Sequence, residues 1–202
     1  MKKIIVPVFC AVLSLFFFCE GILSVYAQNQ KTAKKVVLII GAKDFRDEEL
    51  FQTQDILEQN GVKVFVASSS RQPSQGMFGG EAVPDMLIGE IAPSNFDAVI
   101  FIGGKGAMEY WDDPVAHKLA KETIEQKKVL GAICLAPITL ARAGVLKGKR
   151  ATVWSTQGAD LQSGGAKYTG TKVERDGNII TADGPFSVLA FSDEILKALN
   201  NN

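Results

Sequence analysis

The stretch Val129-Leu130-Gly131-Ala132-Ile133-Cys134-Leu135-Ala136-Pro137 puts a cysteine where an aliphatic run turns into a helix, with small Ala132 and Ala136 two residues to either side. A nucleophile elbow needs this pattern. The strand-to-helix turn has no room for bulk at its flanks, and it lifts the side chain above the sheet. The N–H groups and dipole of the following helix then favour a thiolate, the nucleophilic and oxidisable form. A second element is Ile102-Gly103-Gly104-Lys105-Gly106, whose glycines permit close backbone approach. The backbone N–H groups of Gly104 and Leu135 form a candidate oxyanion pair on that reading. Asp44, Asp47, Glu48 and Glu49 read, by spacing alone, as acids complementing the positive end of a first helix.

Aliphatic runs must position these residues. Lys35 to Ile40, Val62 to Ala67, Ala98 to Ile102 and Lys128 to Ile133 are near-continuous, as in parallel strands buried on both faces. Helical spacing predicts helices over Asp47 to Asn60, closed by Gly61, and over Pro114 to Gln126. Two more are predicted over Leu135 to Ala143, ending at Gly144, and over Phe186 to Leu199. Strands and helices alternate, so the expected fold is an α/β sandwich with a mostly parallel central sheet and right-handed crossovers. The Gly/Ser/Pro-punctuated stretch from Ala67 to Ala98 holds a small hairpin around Gly79-Gly80, and no internal repeat is visible.

The chain has 202 residues, with 22 Lys+Arg against 22 Asp+Glu and 47% hydrophobic residues. That balance fits a globular chain and gives nucleic acid no basic surface to bind. Residues 1–27 read as a secretory signal peptide: Lys2 and Lys3 precede the apolar run Ile4 to Cys19, and Val25-Tyr26-Ala27 precedes the cleavage point. The run is broken by Glu20 and falls short of the roughly 20 residues of a membrane span, so no membrane association is expected after leader removal. Three phenylalanines before Cys19 argue against a lipoprotein signal. The expected mature chain is a single domain, 28–202, of 175 residues and net charge −1, exported to the periplasm or outside the cell. Cys134 is then its one cysteine, without a disulfide partner within the chain. The scattered acids, His117 and Cys134 are too few and too separated for a metal site. No phosphate loop follows the first strand, so neither metal nor cofactor is expected.

Taken together, these residues resemble the ThiJ/PfpI superfamily, the group that includes the Parkinson-associated protein deglycase and the PfpI-type intracellular proteases. The likeness runs from Val36-Val37-Leu38-Ile39 through Asp47-Glu48-Glu49-Leu50, Phe96-Asp97-Ala98-Val99 and Gly103-Gly104 to Ala132 through Pro137. It continues in Ala143-Gly144-Val145-Leu146-Lys147-Gly148, Asp176-Gly177-Asn178-Ile179-Ile180-Thr181 and Gly184-Pro185. The resemblance implies a flavodoxin-like three-layer sandwich of the class I glutamine-amidotransferase type, and a homodimer. It matches the elbow cysteine to Cys134 and a nearby acid to Glu49, 12 residues before Gly61. Beside a thiolate a buried Glu49 is expected to stay neutral, avoiding a second negative charge.

The departures bear on activity. Proteolytic members carry a histidine directly after the nucleophile, where this chain has Leu135. Deglycase-like members carry one on a later strand, where it reads Thr152-Val153-Trp154-Ser155. His117, the one histidine, reads as a solvated helix residue. A Cys-His-Glu triad is not supported, and peptide cleavage is not expected, because no obvious group protonates a leaving amine. Two functions remain. One is cofactor-free chemistry of Cys134 and Glu49 on a small-molecule electrophile: a 2-oxoaldehyde or its adducts in glyoxalase/deglycase-like chemistry, or an isocyanide in hydratase-like chemistry. The other is a non-catalytic redox or stress-response protein acting through oxidation of an acidic Cys134 thiol.

Overall fold

Seven strands form the central sheet of the computed structural model, which describes residues 33–201: β1 (Lys35–Ile39), β2 (Lys63–Ser68), β3 (Met86–Leu87), β4 (Ala98–Phe101), β5 (Val129–Ile133), β6 (Val173–Asp176) and β7 (Ile179–Ala182). The leader read at 1–27 lies outside the described residues. The strand order is β6-β7-β5-β4-β1-β2-β3, and every pairing is parallel except that of β6 with β7. The four aliphatic runs supply β1, β2, β4 and β5, each within a residue or two of its predicted bounds. Strands β1, β4 and β5 are buried along nearly their whole length, which explains the absence of polar alternation in the sequence.

Successive side chains of each strand feed two cores. Val36, Leu38, Ile100 and Ile133 meet Leu50 and Leu57 of α1 (Asp47–Gln59) and Phe191, Ile195 and Leu199 of α5 (Val188–Asn201). Val37, Ile39, Phe101 and Leu130 face α2 (Pro114–Glu125), α3 (Pro137–Arg142) and α4 (Gly158–Ser163) through Leu119, Ile138 and Leu161. The result is the expected three-layer α/β sandwich. Each large aliphatic or aromatic side chain buried in these layers contributes about 2 kcal/mol through the hydrophobic effect. Helix α2 starts at Pro114 behind Asp113, whose carboxylate accepts the Val115 and Ala116 N–H groups, an N-cap with proline at the first helical position. Helix α1 is capped by Asn60, with Gly61 at φ +76° reversing the chain into β2.

Two side sheets complete the chain. Strand Ser74–Gly76 pairs antiparallel with Glu81–Ala82, the hairpin expected around Gly79-Gly80, and parallel with Lys43–Phe45. Arg150–Ala151 pairs parallel with Lys167–Tyr168. The segment read as a later strand, Thr152 to Ser155, leaves that pairing and is irregular up to a 3-10 turn at Ser155–Gln157. From β1 the chain runs through α1 to β2 on one side. From β4 it runs through α2 to β5 on the other, so a crevice opens at the carboxyl ends of β1, β4 and β5, where doubly wound sheets place their ligands.

Candidate functional site

Cys134 follows the last residue of β5 with φ +63°, the left-handed region that residues with side chains rarely occupy. Such a conformation costs roughly 1–2 kcal/mol and persists only where the surroundings over-determine it. Three hydrogen bonds do so here: Cys134 N–H donates to Ala182 O at 3.0 Å, Trp154 N–H to Cys134 O at 2.9 Å, and Trp111 Nε1–H to Leu135 O at 3.1 Å. Ala132 and Ala136 are fully buried beside the turn, which accounts for their size. The helix expected from Leu135 starts only at Pro137 and is six residues long, so Cys134 to Ala136 form a turn that leads into it. The backbone N–H groups of Gly104 and Leu135 both act on the sulfur and pull its pKa down.

Glu49 lies in the first turn of α1, and the three acids of that turn divide their work. Asp47 accepts the Phe78 and Gly80 N–H groups of the hairpin at 2.9 and 2.7 Å, and Glu48 pairs with Arg46 at 2.9 Å. Glu49 shares the buried face of the helix with Leu50, Thr53 and Leu57 and is fully enclosed. Its Oε2 accepts the Gly103 N–H at 2.9 Å, while Oε1 is buried with no nitrogen or oxygen partner. A Cβ on Gly103 would lie 2.5 Å from both Cys134 Cβ and Glu49 Oε2, so thiol and carboxyl meet across space that only glycine leaves open. Gly104, at φ +92°, fits because any side chain there would run into the backbone of Asp44 and Arg46.

Burial pushes the Glu49 carboxyl up to about 8, against the opposing pull of the Gly103 N–H, the thiol and the Arg46 charge. Glu49 is thus neutral at pH 7, as expected of an acid beside this sulfur. The acidic thiol is not found: burial first, and the Glu49 charge second, push Cys134 up to about 12. Two protons sit on the pair at neutral pH, and the first leaves near pH 8.

The sulfur opens into a cavity of about 260 Å³. Met77, Leu135, Trp154 and Pro185 give it apolar walls, and Arg46 and Lys105 stand at its rim. Met77 reaches the cavity from the hairpin tip, where its N–H donates to Phe45 O at 2.9 Å. Arg46 lies 4.5 Å above the Phe78 ring. His117 is elsewhere, on α2. It is half-buried with Nε2 2.8 Å from Trp111 O, so it is a tied residue and not the solvated one expected. Among the described residues no three His, Cys, Asp or Glu side chains gather into a metal-binding group.

A strained cysteine and a buried acid at the carboxyl edge of a doubly wound sheet define an elbow-cysteine α/β protein. The chain belongs to the DJ-1/PfpI family, which it matches over residues 34–198. It is 42% identical to an uncharacterised protein of Methanocaldococcus jannaschii over 87% of this chain and 86% of the relative. A deglycase of Thermococcus kodakarensis is 32% identical over 81% of this chain and 98% of its own length. The crystal structure of a ThiJ/PfpI domain protein from Brachyspira murdochii superposes with a TM-score of 0.82 at 31% identity, covering 84% of this chain and 98% of that one. The sandwich is accordingly flavodoxin-like.

The sequence brought Cys134, Glu49, Gly104 and Leu135 into view, and the fold gathers all four. It did not reveal that Gly103 donates to the carboxyl, or that Met77, Arg46, Lys105 and Pro185 enclose the sulfur. Met77 was within reach of sequence reasoning, because the hairpin around Gly79-Gly80 was legible, but not the direction in which its tip folds.

Proposed function

We propose that the protein is a cofactor-free, carbonyl-processing enzyme of glyoxalase or deglycase type, in which Cys134 adds to the aldehyde carbon of a small electrophile and Glu49 carries the proton. The buried carboxyl set against the elbow thiol, which opens to a cavity, is the observation that carries this reading. Relatives named as a glutathione-independent glyoxalase in Caenorhabditis elegans, 29% identical over 82% of this chain, and as deglycases support it.

With a 2-oxoaldehyde the electrons balance without an external oxidant. From the singly ionised pair, the Glu49 carboxylate takes the thiol proton as the sulfur bonds to the aldehyde carbon, and passes it to the new oxygen, giving a hemithioacetal. Glu49, now a carboxylate, takes the carbon-bound hydrogen as a proton and returns it to the neighbouring carbon. The hydroxyl proton passes to the second oxygen. One carbon is oxidised to a thioester and the other reduced to an alcohol. Water adds to the thioester, Glu49 takes its proton, and the thiolate leaves with release of a 2-hydroxy acid. The Gly104 and Leu135 N–H groups serve the oxyanion. Peptide cleavage is not part of the proposal, since Leu135 and Trp154 supply no acid for a leaving amine.

Turnover of methylglyoxal and larger 2-oxoaldehydes by pure protein tests the reading. We expect 2-hydroxy acid formation that Cys134→Ala lowers at least a thousandfold. Oxidation of Cys134 by peroxide with no turnover of any aldehyde would leave the redox role instead. Export belongs to the same proposal and rests on the leader-like residues 1–27. N-terminal sequencing of the exported protein should begin near Gln28, and a retained leader or a lipidated Cys19 would overturn it.

A further inference from the structure

Beyond the Gly104 and Leu135 N–H groups that serve the oxyanion, the side chains lining the Cys134 cavity are mostly apolar. Four of its lining side chains, Met77, Leu135, Trp154 and Pro185, are apolar; the Arg46 charge is already paired with Glu48, which leaves Lys105, an exposed residue, as the other charged side chain of the lining. Trp154 is 39% exposed, which makes it one of the large apolar side chains that the fold leaves open to solvent. Its main-chain N–H holds the Cys134 carbonyl, and ring atoms Cε3 and Cζ3 lie 2.9 Å from where a Gly184 Cβ would stand. The indole is thus pinned against bare backbone on one side, and its exposed surface borders the sulfur's cavity on another. A second cavity, of about 380 Å³, lies against the same indole and is lined by Phe186, itself 94% exposed, and by the polar Ser155, Lys172, Asp183 and Ser187. The indole therefore stands between the nucleophile's cavity and an outer one, and with Phe186 supplies the apolar surface between them.

We propose that Trp154 makes this site selective for 2-oxoaldehydes carrying an aromatic or bulky apolar substituent, whose ring or chain packs on the indole while the aldehyde carbon meets Cys134. The inference rests on the carbonyl-processing reading and adds its substrate class. A rigid indole offers a flat apolar face that a phenyl group covers and a methyl group does not. Each additional buried methylene-sized contact changes discrimination by roughly tenfold or more when it is kept in the transition state. The bond chemistry is unchanged: phenylglyoxal plus water gives mandelate, as methylglyoxal plus water gives lactate.

Initial rates of mandelate and lactate formation by the full chain test this. Wild type is expected to show a kcat/KM for phenylglyoxal at least tenfold above that for methylglyoxal, and Trp154→Ala to bring the ratio down by roughly tenfold. Trp154→Phe, which keeps a flat ring, should retain most of the preference. Protection of Cys134 from iodoacetamide gives a readout apart from turnover: mandelate should protect wild type at a lower concentration than lactate, and the two should become equal in Trp154→Ala. If Trp154→Ala does not fold, the wild-type ratio and the Trp154→Phe protein decide. Cys134-dependent turnover with a ratio near one, or a ratio that Trp154→Ala leaves unchanged, overturns the selectivity and leaves the enzyme reading standing. No Cys134-dependent turnover of either aldehyde overturns both.

Discussion

At pH 7 the Glu49→Gln protein is expected to unfold roughly 6–12 °C above wild type, although the substitution falls on a residue at the centre of the site. The cause is the cost of keeping a carboxyl neutral. Glu49 has an ordinary value of 4.5 and is pushed up to about 8 in the folded chain. Between those values the folded state holds a proton that the unfolded state has released, so stability falls as pH rises. By pH 7 the accumulated cost is about 3 kcal/mol, and for a domain of this size each kcal/mol moves the midpoint by about 2–4 °C. Glutamine has the same shape and no proton to lose. Its oxygen accepts the Gly103 N–H, and its amino group takes the place of Oε1, which has no nitrogen or oxygen partner. Calorimetry across pH should show the two proteins converging below about pH 4.5. Above that the gap should widen up to about pH 8 and then hold level. Equal midpoints at every pH, or a less stable variant at pH 7, would show that the carboxyl is not held neutral.

Iodoacetamide should label Cys134 of the same variant about ten times faster than wild type at pH 9. In wild type Glu49 has by then become a carboxylate. Its charge is the second-largest reason, after burial, that the thiol is pushed up to about 12. An amide brings no charge and can donate to the anion, and each unit by which the thiol pKa falls raises the thiolate fraction about tenfold. Alkylation rate against pH, followed by intact mass, checks this in both proteins. Equal or slower labelling of the variant would remove Glu49 as a cause of the raised thiol. A sulfur that resists the reagent at every pH in both proteins would make Cys134 a packing residue.

The elbow was legible because its requirement is local: Ala132 and Ala136 are small for reasons that two residues of sequence reveal. The inner strands were legible for a similar reason, since burial on both faces writes a continuous aliphatic run. Glu49 was harder. Three consecutive acids open α1, and only the phase set by Leu50, Thr53 and Leu57 shows which of them turns inward. The thiol's pKa could not be read. It depends on enclosure by the turn after β4, the end of β7 and the hairpin tip, segments far apart in the chain. The length of α3 was also misjudged, because Leu135 and Ala136 have helical character in sequence but stand in the turn that brings Cys134 to its positive φ. Strands β6 and β7, joined by Gly177-Asn178 with Gly177 at φ +65°, carried a two-residue hairpin signal that was noted only as part of a family likeness.

The clasp between Asp47 and the hairpin separates the lining of the cavity from the groups that do its chemistry. Asp47 grips main-chain N–H groups, at Phe78 and Gly80, and so takes no account of which side chains the tip carries. The glycines are what is constrained: a Cβ on Gly76 or Gly80 would lie 2.5 Å from the Asp47 carboxylate, and Gly79 has φ +90°. Met77 and Phe78 can therefore be exchanged while the tip stays in place, and Glu49 stands two residues along the same helix, undisturbed. The hairpin is in this sense a cassette. Its tip can be rewritten, by mutation or in a library, to reshape what the nucleophile meets without altering the groups that move its proton.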